Sequence, residues 1–143
     1  MTYYGQRNPL WRNITVGNTN RTLGSIGCTT CTIADASSWF GKDINPGVLA
    51  KRLEYTPDAY LLWGSLSKIG LKLALRFRKY DKAIIADALK DPKKTVAFNV
   101  DNGAHWVFGL RDLGFGKYLV HDPWNDRRTI YGGVTGGAVI SNL

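Results

Sequence analysis

Val96-Ala97-Phe98-Asn99-Val100, His105-Trp106-Val107-Phe108-Gly109-Leu110 and Lys117-Tyr118-Leu119-Val120-His121 are three short apolar runs, separated by the turn sequences Asp101-Asn102-Gly103 and Leu113-Gly114-Phe115-Gly116. Runs of this length bounded by glycine and asparagine read as antiparallel strands joined by tight turns. Thr129-Ile130-Tyr131 and Ala138-Val139-Ile140 read as two further short strands at the sheet edges. Upstream of Pro92 the pattern changes. Thr29 to Phe40 reads as a helix in which Cys31, Ala34 and Ser38 form one stripe of small residues and Ile33, Ser37 and Phe40 approach a second line, with Gly41 as the stop. Asn45-Pro46 supplies a cap and a first-turn proline for a helix running to Leu53. Ala59 to Ile69 reads as another helix ended by Gly70, and Leu71 to Leu75 alternates as a strand does. Asp81 caps a helix carrying Ile84, Ile85, Ala88 and Leu89, closed by Asp91-Pro92. Helices first and antiparallel strands second give an α+β order, with amino-terminal helices packed on a carboxy-terminal antiparallel sheet.

The chain of 143 residues fits one domain with a sizeable core, and neither an internal repeat nor a linker divides it. Residues 1–27 are rich in Asn, Gly, Thr and Arg, and isolated Trp11, Ile14 and Val16 mark them as an irregular arm laid over the domain rather than a free tail. Nineteen Lys and Arg against eleven Asp and Glu leave a formal charge of +8, which favours a negatively charged partner. Outside Arg76-Phe77-Arg78-Lys79 and Lys93-Lys94 the basic residues are scattered, which argues against a specific nucleic-acid site and for attraction to an anionic matrix. No segment is long and apolar enough to span a bilayer, and the start Met1-Thr2-Tyr3-Tyr4-Gly5-Gln6 lacks signal-peptide character, so synthesis in the cytoplasm is expected.

Gly27-Cys28-Thr29-Thr30-Cys31 stands at the mouth of the first long helix. A thiolate there faces unpaired backbone donors and the positive helix end, which lower its pKa and sit ready for an oxyanion. Cys31, one turn deeper on the small-residue stripe, reads as structural. His105 opens an apolar strand after a polar turn, a rigid yet open position that suits a general base. Strand parity groups His105 with Val107 and Gly109, and Asp122 with Tyr118 and Val120; His121 points to the opposite face. Cys28, His105 and Asp122 thus make a candidate nucleophile, base and orienting carboxylate.

Four stretches carry a family resemblance: Tyr4 to Trp11, Ile26-Gly27-Cys28 with Thr32-Ile33-Ala34, His105-Trp106-Val107, and Asp122-Pro123-Trp124. Together they resemble the papain-like cysteine peptidases related to bacteriocin-processing leader peptidases, over roughly residues 3–131. That group includes small domains of phage lysins, tail proteins and bacterial wall enzymes. The resemblance implies a papain-like fold with Cys28 as nucleophile, His105 as base, Asp122 as its partner, and Gln6 completing the oxyanion hole. Two positions depart from the pattern: Cys31 stands where a hydroxyl residue is common, and Thr29 and Thr30 where longer aliphatic residues are. Neither departure removes a catalytic group.

The implied chemistry is acyl transfer through a thioester, needing no metal or organic cofactor. With the basic charge, the expected substrate is an amide bond of bacterial peptidoglycan, with anionic wall polymers as accessory partners and the protein acting as a monomer. An endolysin released through a membrane lesion, or a part of a phage particle, reconciles a wall substrate with the missing signal. An N-acetylmuramoyl-L-alanine amidase with the same triad is an alternative. So are a catalytically inactive basic binding module using the five tryptophans, a Cys28-x-x-Cys31 redox protein, and a zinc site of Cys28, Cys31, His105 and His121.

Overall fold

Helix α2, Cys28–Trp39, is buried along almost its whole length, from Thr30 to Ser38, and forms the spine against which the rest of the chain packs. Its small side chains permit this, because a helix rich in Ala, Ser and Thr lets neighbours approach on every side. The computed structural model describes residues 1–143. Short helix α1, Leu23–Ile26, precedes α2 and is capped by the Thr22 side chain. Helix α3, Pro46–Arg52, begins as expected: the Asn45 side chain accepts from the Val48 N–H and Pro46 occupies the first turn.

The sheet has six strands, all antiparallel to their neighbours: β1 Leu71–Phe77, β2 Lys94–Val100, β3 His105–Gly114, β4 Lys117–Asp122, β5 Arg127–Tyr131 and β6 Gly136–Asn142. Their spatial order is β1-β6-β2-β3-β4-β5. Helix α2 lies against one face of β2 and β3, while α4, Lys82–Lys90, lies against the other. One core cluster, including Ile33, Leu49, Leu66, Leu71 and Phe108, fills the α2 side; a second, including Ile85, Phe98, Val107, Tyr118 and Val139, fills the α4 side. The architecture is α+β, and no helix is long and apolar enough to cross a membrane.

Two expectations fail. Residues 59–62 are not helical: Ala59 has φ 67° and Leu61 makes an isolated antiparallel bridge with Tyr55, so only Trp63–Ile69 coils, as a 3-10 helix. An L-residue at positive φ breaks an α-helix at that point. The 138–140 run is also no edge strand. It belongs to β6, which sits between β1 and β2 and is buried through Ser141. Glycine makes that insertion feasible: a Cβ at Gly137 would lie 2.5 Å from the Ala97 carbonyl oxygen and 2.4 Å from Phe77 Cζ. The 127–131 run, by contrast, does form the opposite edge as β5.

The arm of residues 1–27 is irregular apart from α1, and it is pinned. The Tyr4 N–H donates to Asp35 Oδ1 at 2.8 Å, Tyr4 Oη donates to Asp43, and the Gln6 N–H donates to the Pro123 carbonyl at 3.0 Å. The Trp11 indole N–H closes back on the Gly5 carbonyl at 2.8 Å. Arg7 stacks over Trp124, 4.4 Å from its ring centre, and donates to its carbonyl. Gln6 is thereby fixed beside the start of α2.

Candidate active site

Cys28 is the first residue of α2. Cys31 is the first in the helix to donate to the Gly27 cap carbonyl, at 2.9 Å, so the N–H groups of residues 28–30 precede the helical ladder. Gly27 sits against the preceding turn so tightly that a Cβ there would lie 2.4 Å from the Leu23 carbonyl oxygen. The glycine before the cysteine thus lets α1 fold onto the start of α2 and presents Cys28 half-buried at the rim of a cleft of about 440 Å³. Gln6, His105 and Trp106 line the same cleft, with exposed Tyr60 and Trp124 at its margins.

His105 reaches this cleft from the first position of β3. Its Nε2 pairs with Asp122 Oδ1 at 2.8 Å, which leaves Nδ1 for the Cys28 side. The register explains the meeting: Phe108 pairs with His121, so Asp122 at the end of β4 lies diagonal to His105 on the same sheet face. Asp122 is buried and also accepts from the Trp124 N–H at 2.9 Å and from Tyr131 Oη at 3.2 Å. Burial favours the neutral acid, but His105, the Trp124 N–H and Tyr131 outweigh it and hold the carboxyl below its ordinary range. Asn99 clamps the turn before β3, donating through Nδ2 to the Gly103 and His105 carbonyls.

The charges reinforce one another. Burial opposes ionisation of Cys28, yet His105, the Trp106 backbone N–H and the Thr29 hydroxyl together bring its thiol below the usual range. Burial also opposes the His105 cation, and Asp122 and Cys28 overcome it, raising the ring from 6.5 to about 9. The lowered thiol and the raised imidazole shift toward one another, which favours the thiolate–imidazolium form of the pair. Gln6 is buried, its Nε2 directed at the Gly24 and Leu23 carbonyls at 3.3 and 3.5 Å and its Oε1 without a protein partner. The structure thus brings Cys28, His105, Asp122 and Gln6 into one place.

His121 is elsewhere. It faces α2, where Nδ1 pairs with Asp35 Oδ2 at 2.6 Å and Nε2 with Asp126 Oδ1 at 2.9 Å. With both nitrogens engaged there, the four-ligand set of Cys28, Cys31, His105 and His121 is not assembled. Cys31 is wholly buried, and burial together with the Asp35 charge pushes its thiol up, the opposite of Cys28. Burial likewise raises Asp35 to about 6, against the opposing pull of His121 and the Tyr4 N–H. This Asp35–His121–Asp126 cluster was not expected from the sequence. Asp35 sits within a run of small helical residues, and only tertiary packing shows what it meets.

Compared with protein-family models, with curated proteins and with solved structures, the chain matches none.

Proposed function

We propose that this protein is a cysteine hydrolase of papain-like fold that cleaves an amide bond in bacterial peptidoglycan. The observation that carries the reading is the His105 ring, paired through Nε2 with Asp122 at 2.8 Å and adjoining a Cys28 thiol of lowered pKa. The Cys28 thiolate attacks the amide carbonyl, forming a carbon–sulfur bond and a tetrahedral oxyanion. In this reaction the Cys28 backbone N–H donates to that oxygen, and Gln6, whose Nε2 is directed at the Gly24 and Leu23 carbonyls in the resting structure, turns that amide toward the cleft to supply the second donor. His105 gives its proton to the departing amine, leaving a thioester and a neutral ring. The ring then takes a proton from water, whose hydroxide attacks the thioester. The tetrahedral intermediate then collapses to the carboxylic product and the Cys28 thiolate, and His105 keeps the proton taken from water, which restores the starting pair. Asp122 holds the ring in orientation throughout and stabilises its charged form.

The formal charge of +8 and the exposed Tyr60 and Trp124 beside the cleft support a substrate within an anionic, sugar-rich wall. The test incubates the wild type, Cys28→Ala and Cys31→Ala with peptidoglycan from several bacterial classes and identifies released fragments by mass spectrometry. New peptide or amine ends are expected with wild type and Cys31→Ala and absent with Cys28→Ala, and their chemistry separates endopeptidase from amidase. Intact walls after treatment with folded wild type would refute the wall substrate. Equal loss in both cysteine variants would favour a dithiol mechanism.

A further inference from the structure

The cleft that holds Cys28 does not end at His105. Thr29, Tyr60, Gly103 and Trp106 border both it and a narrower channel of about 180 Å³, which in turn shares Arg76, Asn99 and Gly103 with a basin of about 420 Å³. The basin's walls hold no hydrophobic residue and no carboxylate; its charged side chains are Arg76 and Arg78. Neither arginine has an acidic partner within ion-pair distance.

Arg76 is held for a purpose its own contacts do not exhaust. Its Nη1 donates to the Phe77 and Gly137 carbonyls at 2.7 and 2.9 Å, and its Cζ lies 4.9 Å from the Trp106 ring centre. The guanidinium is thereby fixed in plane and position, while Nε and Nη2 keep three N–H donors without protein partners. Burial and the Arg78 charge beside it both disfavour the Arg76 cation. Two unneutralised cations side by side, one half-buried and immobilised, are unfavourable unless an anion joins them.

We infer that the Arg76–Arg78 basin is a substrate subsite for a carboxylate, which selects acidic peptides and sets them along the channel over Trp106 toward Cys28. This deepens the hydrolase reading and rests on it. An arginine fork recognises a planar carboxylate through paired, charge-assisted hydrogen bonds. The stack on Trp106, whose backbone N–H supports the Cys28 thiolate, joins the two ends of the groove through one residue. Arg76 and Arg78 are positioning and specificity residues, not catalytic ones.

The test uses tripeptides capped with a vinyl sulfone, each made with a carboxylate or the matching carboxamide at the first, second or third residue. Alkylation of Cys28 is followed by mass spectrometry, with buried Cys31 as internal control. At one carboxylate position the acid is expected to react about tenfold faster than the amide. In Arg78→Gln, whose exposed side chain makes no packing contribution to the core, the preference should fall to about twofold or less. The same uncapped peptides titrated into Cys28→Ala should show the same acid preference, read at the Trp106 indole signal. Ratios near one at every position, or a preference that survives both Arg78→Gln and Arg76→Gln, would overturn the subsite. Acid-selective binding without any Cys28 alkylation would leave the subsite standing and sink the hydrolase reading. Alkylation without selectivity would do the reverse.

Discussion

Replacing Asp122 by asparagine removes a full negative charge 2.8 Å from His105 Nε2 while keeping an acceptor of the same shape. In the native protein two anions, Asp122 and the Cys28 thiolate, overcome the burial that opposes the His105 cation and raise the ring to about 9. A contacting opposite charge shifts a pKa by roughly 1–3 units, so losing one of the two should lower the His105 midpoint by about one to two units. Each unit corresponds to about 1.4 kcal/mol, so the proton on His105 becomes less stable by about 1.4–3 kcal/mol. The sign follows from which form works. The proposed reaction needs the thiolate on Cys28 and the proton on His105. As pH rises the wild type keeps that form until His105 loses its proton near 9; as pH falls it keeps it to below the ordinary thiol range. The Asp122→Asn window should therefore close from the alkaline side. Proton NMR titration of the His105 ring, assigned with His105→Gln, reads the midpoint without any knowledge of the substrate. A wild-type midpoint near 6.5, or one that Asp122→Asn leaves unmoved, would refute the claim that Asp122 holds the imidazolium.

Two other substitutions probe the scaffold. His121→Leu strands buried Asp35 with only the Tyr4 N–H, and such a broken buried pair costs about 3–5 kcal/mol. Urea unfolding should show that loss, with a smaller one for the double variant Asp35→Leu/His121→Leu; a double variant no more stable than the single would refute the coupling. Gly27→Ala must push its new methyl against the Leu23 carbonyl, so it should cost about 1–3 kcal/mol in thermal unfolding and slow alkylation of Cys28. An unchanged alkylation rate would show that the approach of α1 does not position the thiol.

Much of the site is legible from local pattern because its members mark element ends. A glycine before Cys28, a polar turn before His105 and a proline after Asp122 each announce a boundary; strand parity fixes the face of each within its own strand, and the β3–β4 register puts His105 and Asp122 on the same one. What stays hidden depends on partners far away in the chain. His121 is assigned to the other face by parity, but its meeting with Asp35 requires α2 to lie across the sheet. Tyr60-Leu61-Leu62-Trp63 is apolar enough to imitate a helix, and only the bridge from Leu61 to Tyr55 exposes it as a loop. Arg76 and Arg78 read as one basic cluster among scattered charges; register with β6 and the stack on Trp106 carry them to the end of the groove. The run Ala138-Val139-Ile140 reads as a short edge strand, whereas Gly136 and Gly137 before it permit a close fit at the centre of the sheet.

That central strand also dictates when the protein can come into being during synthesis. β2, β3 and β4 can zip together as hairpins while the chain is still growing, and they already carry His105 and Asp122. β1 cannot join them. Its only partner is β6, so Leu71 and Phe77, both buried in the finished fold, wait in water until residues 136–142 leave the ribosome. The two halves are thus stitched by β6, and a chain in which β6 has not yet docked exposes raw sheet edges, the kind of species that aggregates. Pairing across so long a stretch of chain also makes closure the slow step of folding. A growing chain can therefore hold Cys28, His105 and Asp122 before the sheet that positions them is closed.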